Sequence, residues 1–247
     1  MKKTNIIIFI ITGISFFVLI FFLNMYEVKN NCIINAIPNL PFISCIKYSD
    51  DNFKLNNPRF DRVDKPLILL YPQKDTLVDI QLNFQPWFSA TFPEYNTNKK
   101  WWSVLAHPDG TLIDYSSNQE TYGLFWEGLA SDMEFDLTKG FVMKGSEVRD
   151  FLYAKLREMG LETKEYSDFI MYWYPKLQDY PYVQITFAGK DYTNKAILDI
   201  TPKPDSLLRV FMIAKPLSEY QNIQPQTFEK FERNGFSVVE WGGTVIQ

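Results

Sequence analysis

The stretch from Trp101 to Gly128, WWSVLAHPDGTLIDYSSNQETYGLFWEG, constrains the fold more than any other part of the chain. It reads as a strand, a tight turn at Asp109-Gly110, a second strand, a polar turn at Ser116–Gln119 and a third strand. Asp-Gly between two apolar runs is a strong hairpin signal, because a type I′ turn needs positive φ and glycine adopts it without strain. This aromatic-rich meander is expected to organise the packing of the folded region around it.

Composition agrees with a sizeable core. Hydrophobic residues make up 46% of the 247 and aromatics 17%. Charged residues are 22%, which excludes a mainly disordered chain. The formal net charge of -4 implies no basic face, so nucleic acid is not an expected partner.

The N-terminal segment carries a second strong constraint. From Ile6 to Leu23 the chain is apolar and uncharged, broken only by Thr12, Gly13 and Ser15. About twenty apolar residues in a helix cross a hydrocarbon core about 30 Å thick. A cleaved signal peptide is the competing reading, but its apolar region is shorter and ends at a small-x-small site. The exit here, Phe21-Phe22-Leu23-Asn24-Met25-Tyr26, has no such site. Lys2 and Lys3 precede the run, which places the N-terminus in the cytoplasm and the rest outside. The expectation is a single-pass membrane protein. Residues 1–26 form the cytoplasmic tip and a transmembrane anchor in contact with membrane lipid.

Residues 27–64 read as a linker rich in Asn, Pro and Asp, and they hold Cys32 and Cys45, the chain's two cysteines. No further Cys or His is placed to complete a zinc site, so no metal is expected. Outside the cytoplasm such a pair reads as a disulfide closing a short loop, contributing about 3 kcal/mol in the chain-entropy model. Two buried free thiols, or pairing with another chain, are the alternatives.

Residues 65–247 are expected to be an α+β domain outside the cytoplasm, with a candidate subdomain boundary near Ala130-Ser131. Pro66–Pro72 is a wholly apolar run between prolines, as a strand buried on both faces requires. Val78, Ile80, Leu82 and Phe84 alternate with Asp79, Gln81 and Asn83, the pattern of a half-buried strand. A strand over Phe88–Phe92 and the meander complete an antiparallel β-rich region. A helix pair follows. Ser146 offers a cap before Val148, Phe151, Leu152, Leu156 and Met159, and Gly160 stops the run. Thr163 opens a second helix with Tyr166, Phe169, Ile170 and Trp173 on one stripe, which Pro175 ends or kinks. Further strands are expected at Tyr182–Phe187, Ala196–Thr201, Leu207–Ala214 and Phe236–Trp241, the last closed by Gly242-Gly243. A short helix is expected from Pro225 to Arg233. Strands followed by mixed helix and strand make the class α+β.

Several of these segments together resemble an uncharacterised bacterial family of secreted or membrane-attached proteins. The matching segments are KPLILLYP, ATFPEY, WWSVLAHPDGTL, YGLFWEG, KGFVMKG, FIMYWYPKL, LRVFMIAKPL and FSVVEWGG, in this order. Family members carry motifs of the KPVIYLYP, PDGTL, YLFWEG and VVEWGGT type. The resemblance spans roughly Lys65 to Thr244. It implies a location at the envelope and an intact fold, and no reaction, because the family has no assigned activity. Members often have lipoprotein-type or secretory N-termini. This chain departs from them in its longer apolar run and in having no lipobox before Cys32.

Little in the residues carries chemistry. His107 is the one histidine and flanks the hairpin turn. No Gly-x-Ser-x-Gly elbow accompanies it, and no phosphate or dinucleotide loop is present, so no cofactor is expected. The enzyme reading that remains is a pair of carboxylates, Glu127 in Phe-Trp-Glu-Gly and Glu240 in Val-Glu-Trp-Gly-Gly. A carboxyl group against an indole can act as a general acid, and two acids flanking a sugar bond are what a glycosidase needs. The competing reading is structural: acids on strands that cap backbone or pair with Arg149 or Arg209. Trp101 and Trp102 point to opposite faces of one strand, so one of them is the best candidate for an exposed binding surface. The leading expectation is a membrane-anchored, non-catalytic binding or assembly module with a protein partner or envelope glycan as its ligand. An envelope glycan hydrolase and a carbohydrate-binding domain without catalysis are the alternatives.

Overall fold

A computed structural model describes residues 60–84, 87–96, 101–131 and 133–246, with three short strands upstream of them. The chain divides into two units, Met1–Asn57 and Pro58–Gln247. In the first, β1 (Glu27–Lys29), β2 (Cys32–Ile34) and β3 (Ile46–Lys47) pair antiparallel in that order. The apolar run Ile6–Leu23 lies outside the described residues, as do Cys45 and the side chain of Cys32. Among the described residues, no helix is long and apolar enough to cross a membrane.

The second unit is α+β and mostly strand. In chain order it contains β4 (Phe60–Tyr71), β5 (Thr76–Asn83), β6 (Trp87–Phe92), β7 (Trp102–Ala106), β8 (Leu112–Asp114), β9 (Glu120–Thr121), β10 (Leu124–Ser131) and β11 (Phe141–Met143). The helices α1 (Val148–Met159) and α2 (Thr163–Leu177) follow. After them come β12 (Tyr182–Ala188), the single turn α3 (Lys190–Thr193), β13 (Ile197–Thr201), β14 (Ser206–Leu217) and β15 (Ser237–Val245). Seven strands form one sheet in the order β11-β12-β14-β15-β4-β10-β6, and five form another in the order β13-β5-β7-β8-β9. All the strand pairs are antiparallel except β14 with β15, which is parallel.

Side-chain alternation along β4 shows how the layers stack. Ile68 and Leu70 join a core that also contains Val78, Ile80 and Leu82 of β5, Val104 of β7 and Leu112 of β8, so this core lies between the two sheets. Leu67 and Leu69 join a second core with Val148, Leu152 and Leu156 of α1 and Phe169, Trp173 and Leu177 of α2. The seven-stranded sheet is therefore a middle layer, with a sheet on one face and a helix pair on the other. The run Pro66–Leu70 is apolar throughout because both of its faces are covered. β5 has one covered face and alternates as its sequence requires.

Several expectations need correction. The hairpin turn is where Asp109-Gly110 places it, but it is not type I′. Gly110 is at φ +86, whereas Asp109 is not among the residues at positive φ. The Gly110 N–H donates to the His107 carbonyl, and the His107 N–H to the Thr111 carbonyl. This is a type I turn followed by a left-handed glycine. Pro108 favours it, because its ring pre-sets φ for the first central position. The meander also does not stay in one sheet. β7, β8 and β9 belong to the five-stranded sheet, but β10 crosses to pair with β4 and β6. The sequence Leu-Phe-Trp in β10 buries on both faces, which only the middle layer allows.

Ala130-Ser131 lies inside β10, and the seven-stranded sheet takes strands from both sides of it, so no subdomain boundary falls there. Pro175 does not end α2, which continues to Leu177. Gly242 and Gly243 sit within β15 and do not close it.

No helix forms over Pro225–Arg233. The Gln226 side chain bonds both backbone groups of Phe187, accepting from its N–H at 2.8 Å and donating to its carbonyl at 3.0 Å. Arg233 donates to the buried Glu165 carboxylate at 2.5 Å and to the Gly160 carbonyl at 3.3 Å. Phe228 and Phe231 pack against the helix-side core. These anchors hold the segment as a non-helical strap.

Gly243 provides a test of the middle layer. A Cβ there would stand 2.5 Å from the Met212 carbonyl oxygen and 2.8 Å from the Trp173 ring. Gly243→Ala should cost about 1–3 kcal/mol, as overpacking does, and lower the urea midpoint without changing the slope.

Candidate functional site

The two candidate acids prove to be separated by the sheet that carries them. Along β10, Phe125 packs on the helix side and Trp126 points between the sheets. Glu127 returns to the helix side, near Tyr172 of α2. There its Oε2 accepts from Arg62 Nη2 at 3.2 Å, and Arg62 also pairs closely with Asp64. Burial outweighs the Arg62 charge and holds the Asp64 carboxyl above its ordinary value.

Glu240 points the other way, into the core between the sheets, and is 1% exposed. Its Oε1 accepts from Trp126 Nε1 at 3.2 Å and from the Tyr192 hydroxyl at 3.1 Å. Its Oε2 accepts from Arg209 Nε at 2.5 Å, across the parallel β14–β15 pair in which the two residues stand opposite each other. The Arg209 guanidinium lies 4.9 Å from the centre of the Tyr192 ring, and that ring stacks on Phe211 at 4.1 Å. Burial, with the Glu240 charge adding to it, pushes the Tyr192 hydroxyl well above its ordinary value, so it stays a donor.

A glycosidase needs both carboxyls on one cleft, about 5–10 Å apart. Here one acid is sealed between sheets and the other faces the helices, each in its own ion pair. Glu127 and Glu240 are therefore structural acids, and the Arg209 partner that the structural reading offered is the one found. Glu240 has no access to a substrate, and Glu127, with its side chain 15% exposed, has no second acid facing it across a cleft among the described residues.

His107 is likewise a structural link. Its Nδ1 lies 2.8 Å from Asp75 Oδ1 and ties the β7–β8 turn to the β4–β5 turn. Among the described residues, no group of three or more His, Cys, Asp or Glu side chains is placed to hold a metal ion.

The tryptophan pair divides as alternation requires. Trp102 is 1% exposed, with its Nε1 donating to the Pro93 carbonyl at 2.9 Å and its ring edge-on to Tyr95 at 4.5 Å. It is a core residue and drops out as a direct anchor for a ligand. Trp101 faces out from the five-stranded sheet and is 40% exposed. The outer face of that sheet is open: Leu77 and Ile197 are each 52% exposed.

A cleft of about 170 Å³ lies beside Trp101. Its walls are the start of β7, the segment Glu94–Asn96 and the turn at Asp114–Ser116. Trp101 bridges Asn96, which fixes one wall, and the Tyr115 N–H donates to the Ser103 carbonyl, which fixes the other. Tyr115 is 74% exposed and, standing opposite Ser103, is a diagonal neighbour of Trp101. Such neighbours lie about 7–8 Å apart, within reach of aromatic side chains.

Asp114 shapes the turn. Its Oδ2 accepts from the hydroxyls of Ser116 and Ser117, each at 2.6 Å, and from the Ser117 N–H at 2.8 Å. Burial alone would raise its pKa, but these hydrogen bonds outweigh burial and hold the carboxyl below its ordinary value. It is ionised at neutral pH.

Sequence reasoning missed Tyr115, Glu94 and Asp114 as members of this cleft. A signal existed for Tyr115, since alternation from the buried Leu112 puts Ile113 and Tyr115 on the outer face. Nothing local placed Glu94 there, because its position depends on the Asn96–Trp101 bridge.

No protein-family model matches the chain, and no curated protein or solved structure matches it either.

Two stability predictions follow from the ion pairs. Glu240→Gln leaves Arg209 buried without its counter-charge and should cost about 3–5 kcal/mol in urea unfolding. Glu127→Gln removes a pair whose arginine is 62% exposed and should cost at most about 1 kcal/mol.

The Asp114 turn has a definite pH sign. A carboxyl with a lowered folded-state pKa contributes stability that is complete above its unfolded value and lost as pH falls through the folded one. The stability gap between wild type and Asp114→Asn should therefore be constant from neutral pH to about pH 5 and close in more acidic solution, as read by denaturant midpoints across pH.

Proposed function

We propose that this chain is a membrane-anchored, non-catalytic binding or assembly module that works outside the cytoplasm, with the outer face of the five-stranded sheet around Trp101 as its contact surface. One observation carries the reading: Trp101 is an indole left open at the mouth of a cleft, on a sheet face with no described layer over it. Exposed aromatic surface on an otherwise well-packed domain marks interaction sites, and tryptophan and tyrosine are the residues that most often dominate interface energetics.

The placement of Glu127 and Glu240 on opposite faces of one sheet, each in its own ion pair, favours binding over hydrolysis. The apolar run Ile6–Leu23 supplies the anchor, with the N-terminus in the cytoplasm, and Cys32 and Cys45 form a disulfide in the segment that follows. The resemblance to an uncharacterised envelope-protein family supports the location and names no reaction.

The test is cross-linking of the full-length tagged protein in its native membranes, with both protein and glycan identified. A stoichiometric protein partner should be recovered with wild type and with Glu127→Gln, and lost with Trp101→Ala. Turnover of envelope glycan by wild type, abolished in Glu127→Gln, would overturn the reading.

A further inference from the structure

The outer edge of the seven-stranded sheet holds one backbone position that the fold leaves open. β11 ends that sheet and pairs with β12, with Phe141 opposite Ile185 and Met143 opposite Val183. Further along β12, Phe187 has both backbone groups bonded by the Gln226 side chain, on the side away from β14. Alternate residues of an antiparallel strand turn their backbone groups to the same side. Ile185 and Val183 therefore turn theirs toward β11, where Phe141 and Met143 meet them, and Val142 is left facing outward. Gly140 and Lys144 share its phase, and the chain itself closes both. The Gly140 N–H donates to the Gln224 carbonyl at 2.8 Å, and the Lys144 N–H donates to Glu147 Oε2 at 3.2 Å. Among the described residues, nothing bonds the N–H or C=O of Val142 between them.

Val142 lines a cleft of about 570 Å³. Phe141 and Phe151 of α1 line it from the sheet and helix side, with their rings 5.0 Å apart. Tyr220, Ile223 and Pro225 line it from the segment that follows β14. Two acids also border it, and both are engaged: Glu147 by the Lys144 N–H, and Asp150 by Arg149 at 2.9 Å. What the cleft leaves unsatisfied is one backbone donor and one backbone acceptor beside apolar surface. We propose that it binds a short extended peptide segment of a partner protein, which joins β11 as an added antiparallel strand. This site lies apart from the Trp101 face and does not depend on it. An extended backbone supplies an N–H and a C=O on one residue at the spacing that Val142 requires. Phe141 and Met143 belong to the helix-side core, so Val142 turns its side chain to the other face. The peptide residue opposite Val142 does the same. The residues before and after it point toward Phe141 and Phe151, and these two are the apolar ones.

The same geometry argues against other protein occupants. A helix uses its backbone groups internally and would leave Val142 unpaired. The edge of a folded sheet meets the segment Tyr220–Pro225, which is joined to the β11 edge at Gln224. A second copy of this chain would carry the same segment beside its own β11, so two such edges cannot close on each other. The segment thus shields the edge from sheet-to-sheet association and leaves a slot for a single unpaired strand.

Amide NMR titration of the full-length chain decides the matter with two small probes. They are acetyl-Val-Thr-Val-methylamide and its analogue methylated on the threonine nitrogen, which keeps the side chains and loses the one donor that Val142 would accept. The first probe should move the Val142 amide signal at millimolar concentration and slow its hydrogen exchange. The methylated probe should bind about tenfold more weakly, a difference of about 1.4 kcal/mol. Val142→Pro removes the outward donor at an edge position, where the ladder does not use it, and should abolish binding. Val142→Ala keeps the donor and should bind as wild type does. Thermal melting of both variants reports whether the fold is intact, and the probe pair needs no substitution at all.

Equal binding of the two probes would overturn the proposal, as would the absence of any shift at Val142 with either of them. Wild-type binding by a folded Val142→Pro chain would do the same. A Val142 amide already protected from exchange in the free chain would show another part of the chain on this edge, and the partner peptide would fall. Chitohexaose moving the Val142 signal where the peptide does not would give the cleft to a sugar instead.

Discussion

A sheet covered on both faces has no solvent side on which to place polar residues. The seven-stranded sheet of this protein meets that condition, with a second sheet on one face and two helices on the other. The rest of the structure follows from it. β4 and β10 carry consecutive apolar residues because each successive side chain enters a different core. β15 carries Gly242-Gly243 where it passes Pro66 and Trp173 closely, and side chains there would push the layers apart. A charge that enters such a layer must be compensated where it stands. Glu240 is compensated by Arg209, Trp126 and Tyr192 together, drawn from three other elements. A buried ion pair of this kind adds little net stability, since its desolvation offsets much of its attraction, but removing one partner strands the other charge in the core.

The two sheets consequently have different jobs. The middle layer holds the fold together and seals Glu240 inside it. The five-stranded sheet has one face free of that duty, and its outward side chains are under no packing demand. Trp101, Tyr115 and the aliphatic row Leu77, Leu105 and Ile113 occupy that face. That face carries aromatic surface outside both cores.

The parts of this arrangement that were legible in the sequence are those set by periodicity over a few residues. The two-faced burial of Pro66–Leu70, the alternation of β5 and the stop at Gly160 all follow from neighbouring side chains. What depended on distant partners was not legible. The pairing of β14 with β15 is parallel, and no local pattern distinguishes that from antiparallel pairing. The segment Pro225–Arg233 has residues compatible with a helix, but Gln226 finds the backbone of Phe187 and Arg233 finds Glu165, and those contacts override local preference. Of the candidate site, alternation showed that Trp101 and Trp102 part company. Which of them faces out depended on the register with β5, where Trp102 stands opposite the buried Ile80. The acids Glu127 and Glu240 looked alike in sequence, each beside a tryptophan and a glycine, and only the phase of their strands showed that they face apart.

β15 lies between β14 and β4 in the interior of the middle sheet, although it follows every other strand in sequence. β4 therefore lacks one of its two neighbours until some 170 further residues have been joined to it. An antiparallel edge strand can be added to a sheet already formed, but a strand that fills a central slot must be present before the layer closes. As the chain emerges from synthesis, β4 and β14 present unpaired backbone and apolar side chains to their surroundings. Assembly of the domain is thus held to a late step, and anything that sequesters those open edges in the interval would govern the yield of folded protein.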